Sequence, residues 1–559
     1  MMTRVLFSAA LLFFLLNSCQ EQSKRFDLLI LNATVVDGTG NPWYKGDIGI
    51  HGDKIAAIGF LKNAHAHRVI DAAGKVVSPG FIDMLGQSEL SLLADPRGMS
   101  KISQGITTEV TGEGNSAAPV NNRILEDMKA WSQRYNVNVE WIDLDGYFRA
   151  LETRKPALNV ATFVGATQVR RYVIGLDDRA PTPEELDQMK GLVRTAMEQG
   201  ALGLSTSLIY APAAFAKTEE LIELAKIAAQ FGGIYISHIR DEGERETEAL
   251  YEAVDIGREA TIPVEIWHLK VAGKQNWGTM ASIVNFISKQ RDAGIDMTAN
   301  IYPYPASSTR LSSRIPSWAH DGGEQKLLDR LRDPEARKRI RDEVMGKTAG
   351  ADNSFAATGP EGILIASVQS ADLKKYEGMR LSEIAREWKK HPVDVMLDLV
   401  LADSGRIGGV FFSMNEEDVR MAMAQPWVSF CTDGGQQALD GPLSGGKPHP
   451  RAYGSFPRIL GRYVRDVKLL SLEEAVRKMT SLPAQRVGLR ERGILKPGFY
   501  ADIVIFDPKT VIDKATFESP HQYSEGIALV LVNGVSVWEE GNFTGNYPGR
   551  ALRGPGYQR

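Results

Sequence analysis

Residues 233–243, GIYISHIRDEG, and residues 262–270, IPVEIWHLK, decide how this chain is read. Each is a short apolar run rich in β-branched and aromatic residues, the composition of a buried strand. Each run stops at a histidine, His238 in the first and His268 in the second. A third run, WVSFCTDGG at 427–435, stops at Asp433 in the same way. Strands that deliver imidazoles and carboxylates from their ends are how an eight-stranded barrel displays a site. Such side chains are also zinc donors. The expectation is an α/β chain folded as a (β/α)8 TIM-like barrel, a hydrolase that uses a metal ion.

Working outward, strands and helices alternate on both sides of these runs. Residues 161–165 and 201–205 read as strands. Between them Thr182-Pro183-Glu184-Glu185 spells a helix start, with Thr182 as N-cap, Pro at the first position and Glu at the third. Leu186, Met189, Val193 and Met197 then form an apolar stripe at helical spacing, read as core. Thr218 is expected to cap a further helix running to about Gln230, before Gly232-Gly233 lead into the His238 strand. Repeated strand–helix units imply parallel strands with right-handed crossovers. An open dinucleotide-binding sheet is disfavoured, because Gly112 and Gly114 sit in a TGEG turn without the glycine fingerprint.

The two ends of the chain differ from the middle. Residues 26–77 and 484–545 are short strands punctuated by Asp-Gly, Asn and Gly turns, and predict a small β-sandwich domain built from both ends. The barrel then occupies 78–483, and 546–559 form a C-terminal tail. Residues 310–391 are charged and helical, which suggests an excursion or lid between barrel strands. Residues 441–450, GPLSGGKPHP, follow the Asp433 strand and suggest a second mobile cover.

Composition excludes some classes. The 559 residues are 43% hydrophobic and 24% charged with a formal net charge of −4, so no electrostatic footprint for nucleic acid is present. At the N-terminus, Arg4 precedes an apolar stretch, Val5 to Leu16, too short for a membrane span. It ends in Leu16-Asn17-Ser18-Cys19, which resembles the lipobox of a bacterial lipoprotein. That resemblance implies a signal peptide over 1–19, lipidation at Cys19 and an exported, membrane-tethered protein. Gln20 beside it matches the pattern sent to the outer membrane, with the folded part in the periplasm or at the cell surface. A plain secretory signal is the alternative. The other cysteine, Cys431, reads as a buried core thiol.

Taken in order, several segments resemble the amidohydrolase superfamily and, within it, the D-aminoacylase (N-acyl-D-amino-acid deacylase) family. They include SPGFID (78–83), SKISQGITTE (100–109), GALGLSTSLIYAP (200–212), YISHIRDEG (235–243), WHLK (267–270), IYPYPASST (301–309), TDGG (432–435) and HPRAYGSFPRILGRYVR (449–465). The run at 482–508 and NYPGRALRG at 546–554 complete the match, which spans almost the whole mature chain. The resemblance implies the barrel, the split β-domain and zinc-dependent hydrolysis of an acylated amino acid or a short peptide containing a D-residue.

Three positions depart from the family pattern. The His-x-His pair that follows PGFID is replaced by Leu85 and Gln87, a histidine after VG by Ala166, and a metal-binding cysteine turn by TGEGNSAAP. Glu113 falls at or beside that cysteine. With His238 and His268 it gives a His2Glu set with a fourth place for water, hence one Zn2+ per chain. Glu109 and Glu89 are weaker stand-ins, and a Glu113 that only caps its glycine turn is the bland alternative. By the same resemblance Asp433 is the general base and acid, and Lys270, Tyr302 and Ser308 bind the substrate carboxylate. From its place after His238, Arg240 is read as orienting the site or reaching substrate, and His449 as lining the pocket from the mobile loop, with a structural loop histidine as the alternative. His51, His65 and His67 read as surface residues. A cyclic-amide hydrolase and a non-catalytic, lipid-anchored binding protein on the same scaffold remain as alternative readings.

Overall fold

The computed structural model describes residues 25–346 and 354–558; the leader and Cys19 lie outside them. Five strands from one end of the chain and four from the other form a single nine-stranded sheet. The former are Arg25–Val35, Tyr44–His51, Lys54–Gly59, His65–Asp71 and Val76–Pro79; the latter are Ile503–Phe506, Ile527–Val532, Val535–Glu539 and Asn542–Phe543. The ends meet where Val76–Pro79 pairs antiparallel with Ile503–Phe506. The sheet branches at Arg25–Val35, which pairs with Tyr44–His51 on one side and with His65–Asp71 and Val76–Pro79 on the other. Side chains alternate across a strand, so the two faces of Ile503–Phe506 part company. Ile503 and Ile505 join the core of this domain, with Ile30, Ile48 and Leu531, whereas Val504 and Phe506 pack into the barrel core. Both faces are covered, which is why this strand is apolar throughout.

Val76–Pro79 passes through Gly80 directly into the first barrel strand, Phe81–Asp83. A Cβ at Gly80 would lie 2.2 Å from Thr107 Oγ1, so only glycine allows this close approach. The remaining barrel strands are Ile106–Thr111, Asn159–Thr162 continued by Val164–Gly165, Gly203–Ser207, Ile234–His238, Val264–Ile266, Met297–Ile301 and Val428–Phe430. Each pairs in parallel with the next. The ring closes where the Asp433 N–H donates to Leu85 O at 2.8 Å and Gly86 bridges Gly434. The expected TIM-like barrel with a second domain built from both chain ends is the fold observed, but that domain is a single nine-stranded sheet rather than the expected β-sandwich, because strands from the two ends hydrogen-bond edge to edge.

Local readings held to different degrees. Thr182 forms a full capping box with Glu185 at the head of the helix Pro183–Glu198, and Met189, Val193 and Met197 are fully buried. The fourth barrel strand starts at Gly203, two residues after the expected start, because its pairing with Ile234–His238 begins there. Thr218 does not cap its helix. Lys217 is the capping position, and the Thr218 hydroxyl donates to Glu252 Oε1 on the next helix instead.

The excursion is wider than 310–391 and is not purely helical. It opens with Ser307–Arg310 and closes with Gly408–Phe411, which pair antiparallel and add Ile363–Ser367 as a third strand. Helices Glu324–Arg332, Pro334–Val344, Leu381–Trp388 and Pro392–Ala402 surround a separate core that includes Ile340, Ile365, Leu381, Met396 and Phe411. The strands are short, and Ser307–Arg310 is polar throughout, so they carry no clear period of two. The tail is docked rather than loose. Leu552 N–H donates to Val160 O and Gly554 N–H to Gly200 O, strapping the entries of the third and fourth barrel strands.

Lys101, fully buried, ties the barrel closed. Its ammonium donates to Asp83 Oδ2 at 2.8 Å, to Thr432 Oγ1 at 2.7 Å and to Gly434 O at 2.5 Å, and lies 3.3 Å from Glu109 Oε1. The Thr432 hydroxyl in turn donates to Asp83 Oδ2 at 2.6 Å. First and last strands therefore share one buried charge network. Lys101→Met leaves buried carboxylates without their cation and is expected to cost about 3–5 kcal/mol, read as a lower urea midpoint at an unchanged m-value.

Candidate metal centre

His238 is the last residue of the fifth barrel strand, and His268 follows the sixth with φ at +35°. Glu113 comes from the turn after the second strand, whose Gly112 and Gly114 adopt φ of +95° and +64°. A Cβ at Gly114 would lie 2.5 Å from Ser207 Cβ, so the turn needs glycine to pass under the fourth strand. These three segments bring three donor atoms together. His238 Nδ1 lies 2.8 Å from Glu113 Oε1, His268 Nε2 3.2 Å from the same oxygen, and the two nitrogens 3.0 Å from each other. Donors bonded at about 2.0–2.1 Å to a tetrahedral ion stand roughly 3.3 Å apart, so this set fits one ion. Among the described residues it is the one such group of three.

The surrounding charges are arranged for that purpose. Glu242 Oε1 lies 3.1 Å from His268 Nδ1, the carboxylate that orients a ligating imidazole and leaves Nε2 free. His238 Nε2 is 3.5 Å from the same oxygen and has no hydrogen-bond partner. Burial raises the Glu113 carboxyl, but hydrogen bonds and charge from the two imidazoles outweigh it and hold it far below the usual carboxylate range. For His268, burial and Lys270 push down, and Asp433, Glu242 and Glu113 together carry it up to about 9.

Asp433 stands across from this cluster in a left-handed conformation, φ +47°, at the turn after the eighth strand. Its Oδ2 pairs with Arg451 at 2.6 Å, and its Oδ1 accepts from Gln87 Nε2 at 2.9 Å. Gln87 also donates to Glu113 Oε2 at 2.9 Å, so the two carboxylates lie within twice a hydrogen-bond length of each other. Burial raises the Asp433 carboxyl, with Arg451 and His268 opposing. A buried carboxylate next to a cation site is equipped to take a proton and give it back.

The structure gives several expected pocket residues other work. Lys270 does not offer a free ammonium. It donates to Glu242 Oε1 at 2.6 Å and sits 2.7 Å from His268 Nδ1, because a buried lysine requires a carboxylate partner. Arg240 is spent on the scaffold, clamping Glu252 and the carbonyls of Ala214 and Ala216. His449 uses both ring nitrogens on backbone, accepting from Arg451 N and donating to Ala306 O, so neither is left for substrate. The loop 441–450 is likewise tied down, with Lys447 N–H on Ala366 O and Gly446 O on His521. Tyr302 and Ser308 both stand against Arg451, Ser308 through its backbone carbonyl, while the Tyr302 hydroxyl donates to Met414 Sδ at 3.6 Å. The guanidinium lies 4.5 Å from the Tyr302 ring and donates to Ser308 O at 3.3 Å. Glu109 sits beside Lys101, and Glu89, pushed up to about 8 by burial, likewise stands outside the three-donor cluster. Cys431 is a buried thiol, as expected.

Gln87, Glu242 and Arg451 were not legible as site residues. Gln87 is noticeable in sequence only as a departure from a pattern, and Glu242 is one of two acids in IRDEG. Arg451 could have been found as the cation inside the quoted run HPRAYGSFPR, two residues after His449. Tyr210 also joins the wall, edge-on to His238 with ring centroids 5.3 Å apart, its hydroxyl donating to Thr309 of the excursion.

With this geometry in place, the likeness to known proteins becomes specific. The model of the Amidohydrolase family matches residues 68–299 and 420–538, leaving out the excursion. A D-aminoacylase of Alcaligenes xylosoxydans xylosoxydans is 38% identical over 541 residues, covering 95% of this chain and 99% of that protein. An N-acyl-D-glutamate deacylase of the same organism is 36% identical over 531 residues, covering 95% and 97%. The crystal structure of N-acyl-D-glutamate deacylase from Bordetella bronchiseptica, complexed with zinc and a phosphonate mimic of the tetrahedral intermediate, aligns at a TM-score of 0.79. It is 34% identical, with 95% of this chain and 100% of that one covered.

An imidazole that holds its proton up to about pH 9 must lose it to ligate. Apparent zinc affinity is therefore expected to rise about tenfold per pH unit between pH 7 and 9 and to level off above, as read by competition with a chromophoric chelator. A flat profile over that range would mean that the His268 proton is already lost below pH 7.

Proposed function

The chain belongs to the amidohydrolase family, and from that premise we propose that it hydrolyses the amide bond of N-acyl-D-amino acids, with Glu113, His238 and His268 holding one zinc ion and Asp433 moving the proton. The observation that carries this reading is the meeting of one carboxylate oxygen and two imidazole nitrogens within 3.2 Å, with a second carboxylate facing them. A divalent ion held by such a set polarises an amide carbonyl and lowers the pKa of water.

The residues of this chain supply the rest. Asp433 accepts the proton of the attacking water and returns it to the leaving nitrogen, so that it ends the cycle as it began. Arg451, paired with its other oxygen, opposes the upward push of burial on the Asp433 carboxyl. Glu242 keeps His268 in the tautomer whose Nε2 faces the ion. A substrate carboxylate entering beside Tyr302 meets the Arg451 guanidinium and, on release from Glu242, the Lys270 ammonium. The D-preference of the reading rests on the deacylases this chain is similar to. A cyclic-amide hydrolase that bridges two ions is less well supported, because the described residues hold a single three-donor group.

The reading extends to placement in the cell. Leu-Asn-Ser-Cys at 16–19 supports lipidation at Cys19 and export to the outer membrane. No described helix is long and apolar enough to cross a membrane.

Asp433→Asn is expected to keep its zinc and lose turnover of N-acetyl-D-amino acids by about 100- to 10,000-fold, whereas Glu113→Ala loses the ion itself. Metal content and rates measured on the same preparations separate the two. Cys19→Ala is expected to move the protein from the membrane fraction to the soluble one on cell fractionation.

A further inference from the structure

We propose that the side-chain amide of Gln87 takes the place of a second cation, clamping Glu113 to Asp433 so that the centre holds a single ion and presents the Asp433 base in one orientation. The inference rests on the reading of Glu113, His238 and His268 as ligands, and concerns a residue to which that reading gives no role.

The orientation of the amide is forced. Gln87 Nε2 lies 2.9 Å from Glu113 Oε2 and 2.9 Å from Asp433 Oδ1, and ionised carboxylates only accept. The NH2 group has two protons, one for each. The oxygens divide accordingly. Glu113 gives Oε1 to the imidazoles and Oε2 to Gln87, while Asp433 gives Oδ1 to Gln87 and Oδ2 to Arg451. Two carboxylates this close repel unless a donor or a cation stands between them. A neutral amide meets the requirement without adding charge, and it occupies the acceptors that a second ion would need.

The backbone aims Gln87 with little freedom. Gly86 N–H donates to Val110 O at 2.8 Å and Gln87 N–H to Gly434 O at 3.3 Å, so the residue is held from both sides of the closed barrel. A Cβ on Gly86 would lie 1.7 Å from Glu109 Oε1, which fixes the chain against the second strand. Leu85 is buried and offers no donor. The Gln87 side chain itself is exposed at the rim of the site, so replacing it disturbs no core packing.

The test is metal content after equilibration with excess zinc and desalting, paired with steady-state rates, on wild type, Gln87→Glu and Gln87→Met. Wild type is expected to retain one zinc per chain. Gln87→Glu puts a third carboxylate where the donor was and is expected to retain two. Gln87→Met, similar in shape but without a donor, is expected to lose about 10- to 100-fold in kcat at an unchanged KM. Two ions in wild type, or one ion in Gln87→Glu together with wild-type kcat in Gln87→Met, would overturn the proposal. Failure of the underlying ligand assignment looks different: Glu113→Ala would then retain as much zinc as wild type.

Discussion

Three donor atoms from three separate barrel strands or their turns stand about 3 Å apart, and Glu242, Lys270, Gln87 and Asp433 are arranged around that meeting. Two imidazole nitrogens and a carboxylate oxygen at this separation need a shared proton or a shared cation between them. The surroundings supply negative charge to favour one. Glu242 stands behind His268, Asp433 faces the cluster, and Lys270 balances Glu242 instead of the ligands. Such a centre tolerates little movement, because a displaced ligand leaves the others buried and unpaired. Parallel strands that hydrogen-bond to neighbours on both sides provide the necessary stiffness.

Closure of the ring is what seats Asp433. Asp433 adopts a left-handed backbone, which costs a non-glycine residue something, and its neighbours hold it there. Its amide donates to Leu85, while Thr432 and Gly434 on either side are bound to the buried Lys101. The first strand thus brings no imidazole to the site, but through Asp83, Leu85 and Gln87 it holds the last strand in register.

The excursion between the seventh and eighth strands contributes a wall. Its opening strand carries Thr309, which accepts from Tyr210 over the His238 ring, and Ser308, whose backbone carbonyl accepts a hydrogen bond from Arg451. Beyond it the rings of Tyr304, His449 and Phe517 pack edge to face. His449 holds this wall together through backbone, a structural task that a histidine in a loop sequence does not announce. The excursion has its own apolar core, separate from that of the barrel.

The sequence by itself determined the strand endings, the two imidazoles and the aspartate, because an apolar run that stops at a polar residue is a local signal, whereas the pairing of the two chain ends into one sheet is not. His238, His268 and Asp433 each close an apolar run, and Glu113 sits in a glycine turn of recognisable shape. Only the tertiary structure decided which polar residues spend themselves on one another. Lys270 and Glu242 are 28 residues apart, Gln87 and Asp433 346 apart, and Arg240 is claimed by a helix twelve residues on. A side chain takes its hydrogen bonds from what lies within about 3 Å, and distance along the chain does not encode that distance in space.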